Sequence, residues 1–190
     1  MGFIVTPWAK QSIKGYIQYN SRVATLRIRV EGGVLTLINV YAWANTHDFD
    51  TRHDFFTDLV QIFAKGRSHG PTILLGDLNA RLLQRYAGEE DVIGDFVYHN
   101  HISKWTPTSN RELLVELCTA TDTCIANTFS DVAVESKVTY CYIGAHPMDT
   151  VLPGAFEKPC CARPEMVTRY SLYEERSWQS VAIPSFSEPY

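Results

Sequence analysis

The sequence has no surplus of positive charge and no long apolar run. Lysine and arginine number 17 against 21 aspartate and glutamate residues, which gives a formal net charge of −4 over 190 residues. This balance disfavours a protein that binds nucleic acid through overall positive charge, whereas a site that works through a bound metal ion stays open. No run approaches the roughly 18 apolar residues of a membrane helix, and the N-terminus lacks the basic and apolar regions of a signal peptide. We therefore expect no membrane association.

Cysteine is scarce and follows neither a disulfide nor a zinc pattern. The five cysteines are odd in number and include no C-x-x-C pair, and two of them are adjacent. The six histidines show no ligand spacing except His99-x-His101, which lies in a polar segment that we expect to be solvated. The pattern favours reduced, mostly buried thiols in an intracellular protein, so we expect no disulfide-linked partner.

Apolar periodicity predicts a β-hairpin in the first part of the chain. Hydrophobic residues make up 45% of the sequence, which is enough for one packed core. Residues 23–30 alternate apolar and polar side chains and predict a half-buried strand, and Gly32-Gly33 predicts its turn. The return strand, residues 34–41, is almost wholly apolar and predicts burial on both faces. Residues 2–5 are expected to form another strand before this hairpin.

The remaining elements alternate between helices and strands. A helix from about Arg52 to Lys65 is expected after an N-cap at Asp50 or Thr51, and residues 71–75 predict a short strand. Residues 81–105 have no period and predict a long loop. Ser109 begins a capping box, S-x-x-E, whose helix carries an apolar side. Residues 124–129 and 137–143 predict the last strands, and the order as a whole predicts an α/β layered domain.

The segment L-L-G-D-L-N-A-R, residues 74–81, is the most informative for chemistry. Asp77 and Asn79 follow a buried strand, and in extended chain side chains two residues apart point the same way. A carboxylate and an amide side by side can hold an attacking water and a phosphoryl oxygen, or share a divalent ion. Aspartate and asparagine are also common in turns, and the motif by itself favours a turn.

Several motifs in order resemble the endonuclease/exonuclease/phosphatase superfamily. They are L-I-N-V-Y-A at 37–42, I-L-L-G-D-L-N-A-R at 73–81, N-R-E-L-L at 110–114, I-A-N-T-F at 125–129 and K-V-T-Y at 137–140. The most similar version is the endonuclease domain of non-LTR (LINE-type) retrotransposons, and the resemblance covers roughly residues 23–142. It implies a four-layered α/β sandwich. We expect a partial sandwich over residues 1–156 and an irregular or degenerate tail over residues 157–190.

The resemblance implies hydrolysis of DNA phosphodiesters with Mg²⁺. By motif, Tyr41 would approach the scissile phosphate, Asp77 would bind Mg²⁺ and orient or deprotonate the attacking water, and Asn79 would hold that water or a phosphate oxygen. Residues expected at the substrate rim or behind it are Arg81, Asn127 and Thr139. From the residues alone, Tyr41 also fits a core aromatic at a strand end, and Asn127 and Thr139 also fit ordinary turn and strand positions.

Two parts of the family pattern have no match in this sequence. The asparagine and the metal-binding glutamate of the family's first strands are not found, and no histidine follows His146, where the family has a closing Asp-His pair. Asp149 is the nearest acid in that region, in a loop-like context. We therefore expect a domain truncated at its N-terminus and eroded at its C-terminus. Its Mg²⁺ binding would be weak or absent, and it would be weakly active or a pseudoenzyme.

Three functions stay open at this point. The first is a Mg²⁺-dependent DNA endonuclease of a retrotransposon, for which the family implies a nuclear location. The second is a non-catalytic remnant that binds phosphate or nucleic acid through Arg81, Arg85 and the first thirty residues, which carry five basic residues and no acid. From the residues alone, a solvated strand face is the favoured explanation of that basic stretch. The third is a phosphatase of the same superfamily, because substrate choice in such folds depends on loops.

Overall fold

A computed structural model of the chain describes residues 1–97, 109–131 and 155–157. Six strands form one sheet in the order β1-β2-β3-β4-β6-β5. The strands are β1 Ile13–Gln18, β2 Val23–Val30, β3 Gly33–Tyr41, β4 Thr72–Asp77, β5 Thr123–Ile125 and β6 Ala155–Glu157. The helices are α1 Pro7–Lys10, α2 Phe49–Arg67 and α3 Asn110–Ala120, and a 3₁₀ turn, Ala126–Thr128, follows β5. Strands β3 and β4 are parallel, and the other neighbouring strands are antiparallel. The expected α/β class is confirmed.

One face of the sheet packs against α2, which in turn packs against α3. On β3, Thr36, Ile38 and Val40 are buried, whereas the residues between them are only half-buried. The expectation that β3 is buried on both faces is therefore wrong, because the helices cover one face only. The core between this face and the helices is formed by a cluster of aliphatic and aromatic side chains, including Ile38, Val40, Phe55, Phe56, Leu59, Phe63, Leu74, Leu113, Leu114 and Leu117.

The predicted hairpin is present with a shifted turn and an additional strand. Val30 pairs with Gly33, so the loop consists of Glu31 and Gly32 rather than the two glycines. Strand β2 was expected to be half-buried. Its first residues, from Val23 to Leu26, are instead buried on both faces. Strand β1 was not expected, and residues 2–5, which were expected as a strand, belong to none.

Helix α2 begins at Phe49, three residues before its predicted start. Its N-cap is Asp48, whose carboxylate accepts hydrogen bonds of 2.8 Å from both the amide and the hydroxyl of Thr51. The amide hydrogen bond is the main cause that lowers the pKa of Asp48. At the other end the helix continues through Gly66 to Arg67, two residues beyond its predicted end. A Cβ on Gly66 would lie 3.0 Å from the Thr72 side chain, so this glycine allows the helix to approach the sheet.

Helix α3 buries the expected side, with Leu113, Leu114, Leu117 and Cys118. The expected capping box is absent, because the side chain of Ser109 makes no cap hydrogen bond. Burial raises the pKa of the Cys118 thiol to about 12, so this free cysteine is chemically unreactive. Cys124 is also buried, as expected for this cysteine.

The C-terminal strands are only partly described. Strand β5 ends at Ile125 and a 3₁₀ turn replaces the remainder of the strand predicted for residues 124–129. The strand predicted for residues 137–143 lies outside the described residues. Residues 81–97 form the expected irregular loop. In the part of the chain that the structure describes, no helix combines the length and the apolar composition of a membrane-spanning segment.

Candidate active site

Tyr41 and Asp77 lie side by side at one edge of the sheet. They are the last residues of β3 and β4, and they are partners in the parallel register. The carboxyl ends of parallel strands are where ligands commonly bind in α/β folds. Because register partners project to the same face, both side chains lie on the face opposite α2. Tyr41 is 47% exposed, so it is a surface residue at this edge and not a core aromatic.

A glycine brings the two strands together just before this edge. Gly76 has a φ of +124°, and a Cβ on it would lie only 1.9 Å from the carbonyl oxygen of Val40. Any side chain at residue 76 would therefore push β4 away from β3. After the strands end, the Ala42 amide still donates to the Asp77 carbonyl, at 2.8 Å. The backbone that carries Tyr41 and Asp77 is thus held closely on both sides of the pair.

Asn79 adopts a turn rather than the extended conformation that would align it with Asp77. Its φ is +48°, a left-handed conformation that asparagine tolerates better than most residues. Its amide donates to Asp77 Oδ1 at 2.9 Å, and its side-chain Nδ2 donates to the Ala42 carbonyl at 2.9 Å. The D-x-N motif therefore forms an Asx turn that orients the Asp77 carboxylate. The side-chain amide of Asn79 ties the two strand ends together.

Arg22 places a positive charge beside Tyr41. Its guanidinium carbon lies 3.4 Å from the ring centroid of Trp43 and 5.1 Å from that of Tyr41, and Nη1 donates to the Tyr41 carbonyl at 3.1 Å. Stacking of this kind restrains a side chain that would otherwise sample many rotamers. The sequence marked Arg22 only as one of several basic residues. Its position became evident from the pairing of β2 with β3.

Asn110 is buried behind the edge and holds the loops that leave both parallel strands. It is completely buried, and its Nδ2 lies within hydrogen-bond distance of the carbonyl oxygens of Trp43 (2.8 Å), Leu78 (3.2 Å) and Asn79 (3.2 Å). Its Oδ1 accepts from Nη1 of Arg52 at 2.9 Å. The sequence placed residue 110 in a capping box and in the motif N-R-E-L-L, but neither pattern predicted these contacts.

Arg52 completes the network from α2. It is 6% exposed and donates through Nε to the His47 carbonyl at 3.1 Å and through Nη1 to Ser109 Oγ at 2.6 Å. Ser109 Oγ in turn donates to Asn45 Oδ1 at 3.1 Å. The hydroxyl expected to cap α3 is therefore engaged with the loop after β3. We refer to Asn45, Arg52, Ser109 and Asn110 as the loop-anchoring network.

The other candidate residues lie apart from this edge or outside the described chain. Arg81 is half-buried in the loop after β4, two residues beyond Asn79. Arg85 is paired with Asp95 at 2.6 Å, so it is not an unengaged cation for phosphate. Asn127 lies in the 3₁₀ turn, and its Oδ1 is buried without a hydrogen-bond partner among the described residues. Thr139 and Asp149 lie outside the residues that the structure describes.

Asp77 is the carboxylate that this edge offers to a metal ion. Residues 1–97 and 109–131 contain no group of three or more histidine, cysteine, aspartate or glutamate side chains that could hold a metal. Mg²⁺ in proteins commonly keeps several waters and uses one or two carboxylates together with substrate phosphates. The donor set at this edge therefore fits a weakly held Mg²⁺ at Asp77, completed by water and substrate oxygens.

Comparison with known proteins identifies the fold. No family model and no curated protein matches the sequence. The structure of the 3′ phosphatase NExo from Neisseria, bound to a product DNA hairpin, is similar over 79% of this chain and 60% of that chain, with 18% identity and a TM-score of 0.52. A β-hairpin deletion mutant of beta toxin from Staphylococcus aureus matches 94% of this chain and 61% of its own, at 12% identity and a TM-score of 0.42, which is too low to carry an argument.

The chain spans about 60% of the length of NExo. NExo has the exonuclease/endonuclease/phosphatase fold, and the likeness confirms the expected partial α/β sandwich of that type. The narrower likeness to LINE-type retrotransposon endonucleases is not tested by it. The chain described here therefore has the fold of the exonuclease/endonuclease/phosphatase superfamily.

Proposed function

We propose that this chain hydrolyses phosphoester bonds of DNA with the help of a divalent cation. The observation that carries the proposal is the pairing of Tyr41 with Asp77 at the carboxyl ends of two parallel strands. The fold shared with a DNA-bound 3′ phosphatase supports the substrate class. A single carboxylate at the edge supports the further proposal that the activity is weak.

Each residue at the edge has a role in this reaction. The Asp77 carboxylate, oriented by the Asn79 amide, accepts a proton from the attacking water. The exposed Tyr41 hydroxyl donates a hydrogen bond to a phosphate oxygen, and Arg22 adds positive charge beside it. The bond from phosphorus to the leaving oxygen breaks, and the water oxygen takes its place on phosphorus. A divalent ion held by Asp77 would supply charge neutralisation for the phosphate when bound.

Two finer assignments belong to the same proposal. The motifs G-D-L-N-A-R and N-V-Y-A support an internal cleavage activity, as in the endonucleases of non-LTR retrotransposons, and a nuclear location with it. The likeness to NExo supports removal of a terminal 3′ phosphate instead. Arg81, Asn127 and Thr139 are proposed to contact substrate or the residues behind it. Both chemistries use the same water, base and phosphate contacts, so they differ only in how the DNA lies across the edge.

The test compares two DNA substrates in the presence of Mg²⁺ or EDTA. We expect purified protein to act slowly on supercoiled plasmid, on a duplex with a 3′ phosphate, or on both, and we expect EDTA to abolish the hydrolysis. The ratio of the two rates assigns the substrate. Absence of hydrolysis above a buffer control, from protein shown to be folded by circular dichroism, would contradict catalysis and favour a phosphate-binding remnant.

Replacing Asn110 by alanine is expected to reduce hydrolysis without removing any group that touches substrate. The substitution removes the hydrogen bonds to the carbonyl groups of Trp43, Leu78 and Asn79, so the loops around Asp77 can shift. A displacement of about 1 Å in these loops is expected to lower the rate roughly 10²-fold. The measurement is kcat and KM at a temperature where the variant is folded. We expect the loss mainly in kcat.

The matched control is Glu112→Ala, an exposed residue of the same helix. It should retain the wild-type rate. A wild-type kcat for Asn110→Ala would show that the loop-anchoring network does not position the site.

A further inference from the structure

A cavity of about 240 Å³ opens on the helix-bearing face of the sheet, between the β1–β2 hairpin and the end of α2. Three basic side chains line it, Arg27, Lys65 and His69, and no acidic residue does. Ile17 and Tyr19, which are 44% and 37% exposed, add an apolar and an aromatic part to its wall. The lining is therefore cationic, although the chain as a whole carries a net charge of −4.

Arg27 is the most enclosed of the three basic side chains. It is half-buried, and its register partner on β1 is Gly15. A Cβ on Gly15 would lie 2.8 Å from Arg27 Nη2, so the space that a side chain would fill at residue 15 is occupied by the guanidinium. Among the described residues, neither Arg27, Lys65 nor His69 takes part in an ion pair. A partly desolvated cation without a counter-ion favours the binding of an anion.

The side chains of Lys65 and His69 are not needed as hydrogen-bond donors to the carbonyl groups at the end of α2. Ser68 Oγ donates to the Lys65 carbonyl at 2.7 Å, the His69 amide donates to the Gly66 carbonyl at 3.0 Å, and the Gly70 amide donates to the Arg67 carbonyl at 3.2 Å. These contacts occupy the last carbonyl groups of the helix, which would otherwise repel an anion. The side chains of Lys65 and His69 thus stay available to a ligand.

The cavity is separate from the Tyr41–Asp77 edge. Thr36 of β3 lines it, and Thr36 and Tyr41 are five residues apart on the same strand. That spacing corresponds to roughly 17 Å along the strand and places the two residues on opposite faces of the sheet. A phosphate in the cavity therefore cannot be the phosphate that is cleaved at Asp77.

We propose that this cavity binds the phosphate group of a nucleotide, as a second site distinct from the catalytic edge. Arg27 and Lys65 supply charge-assisted hydrogen bonds to the phosphate oxygens, and the His69 ring supplies a further hydrogen bond. A phosphate alone fills only part of the space, and the exposed ring of Tyr19 offers a surface on which a base stacks. The nucleotide is either free or part of a DNA strand, and the two sources share this chemistry.

The test is a calorimetric titration of the protein in EDTA, so that no metal at Asp77 contributes to binding. The ligands are inorganic phosphate, thymidine monophosphate and a single-stranded octathymidylate. We expect the Arg27→Gln/Lys65→Gln variant to bind the nucleotide ligand about 10-fold more weakly or worse, because two charge-assisted hydrogen bonds are lost. The matched control, Lys10→Gln/Lys14→Gln, also removes two positive charges, both from exposed residues outside the cavity, and should bind as the wild type does.

Each outcome either tests the proposal or identifies the source of the bound nucleotide. Binding of the monophosphate that the cavity variant loses supports a free nucleotide, and binding of the octamer alone, lost in the same way, supports a strand. No binding, equal weakening by the control variant, or equal affinity for inorganic phosphate overturns the proposal. If Arg27→Gln does not fold, Lys65→Gln/His69→Gln, at two exposed positions, replaces it. Because EDTA removes any contribution from catalysis, the result is independent of the function proposed above.

Discussion

Replacement of Asp77 by asparagine is expected to lower the rate of phosphoester hydrolysis by about 10²–10⁴-fold, the usual contribution of a general base. Asparagine has the same shape and keeps a side-chain oxygen that can accept the hydrogen bond from the Asn79 amide, so the turn after β4 is preserved. What is lost is the negative charge, which both accepts a proton and attracts a cation. The measurement is kcat/KM for whichever of the two DNA substrates the wild-type protein cleaves.

Asp58→Asn provides the matched control for this substitution. Asp58 is exposed on α2, away from the edge, and its replacement makes the same change of charge. It should leave the rate unchanged. If Asp77→Asn retained the wild-type rate while EDTA still abolished hydrolysis, another acid would have to be the base, and the site would lie elsewhere on the chain.

Replacement of Arg111 by methionine is expected to destabilise the fold by about 3 kcal/mol or more, because it breaks a largely buried ion pair and leaves its partner unpaired. Arg111 is 1% exposed, and its Nη1 donates to Glu89 Oε1 at 2.8 Å. Its Nη2 donates to Glu89 Oε2, and its remaining hydrogen bonds go to the carbonyl groups of Leu82 and Gln84, at 3.2 and 2.9 Å. Arg111 therefore attaches the loop after β4 to α3 beyond the point where Asn110 holds its first residues. The free energy of unfolding in urea measures the effect.

The control for Arg111 is Arg29→Met, at an exposed position of β2. It should change the free energy of unfolding by less than about 0.5 kcal/mol. Adding Glu89→Met to Arg111→Met should recover part of the loss, since no unpaired charge is then left behind. A stability within 0.5 kcal/mol of the wild type for Arg111→Met would mean that the loop does not depend on this ion pair.

The same pair makes the stability depend on pH. Burial raises the pKa of Glu89, but the hydrogen bonds from Arg111 and from the Tyr86 amide outweigh it and hold the pKa below its ordinary value. A carboxyl whose pKa is lowered by folding stabilises the protein above its unfolded pKa of about 4.3, and that contribution is lost as the pH falls through the folded value. The stability of Arg111→Met should therefore fall less steeply in this acidic range.

Local sequence patterns were sufficient to predict the two strands that carry the candidate site. The apolar strands β3 and β4 were predicted from composition, and the motifs at their ends drew attention to Tyr41 and Asp77. That the two residues are adjacent follows from the parallel pairing of two strands joined by a helix. Strand β1 escaped detection because most of it is exposed and it shows no sustained apolar alternation.

The residues that the sequence did not identify act through distant partners. Asn110 lies next to a good capping residue, and the local pattern S-x-x-E explained it well enough to conceal its contacts with residues 31–67 positions away. The turn at Asn79 was one of the two interpretations of the motif, but its side-chain contact with the neighbouring strand was not foreseen. Alignment with Asp77 assumes extended chain, whereas the hydrogen bond to the Ala42 carbonyl across the sheet accompanies a left-handed residue. Tertiary hydrogen bonds, unlike periodicity, leave no signal in the neighbouring residues.

The loop-anchoring network has a consequence for the order in which the chain folds. Strands β1–β4 and α2 can assemble from segments close in sequence, but the loops after β3 and β4 gain the hydrogen bonds of Asn110 only when α3, more than thirty residues further on, is in place. Closing such long loops costs conformational entropy. The packing of α3 on α2 offsets this cost only after the loops have closed. The geometry around Asp77 is thus completed at a late step of folding. By the same linkage, a partial opening that releases α3 dismantles the site while the sheet is still intact.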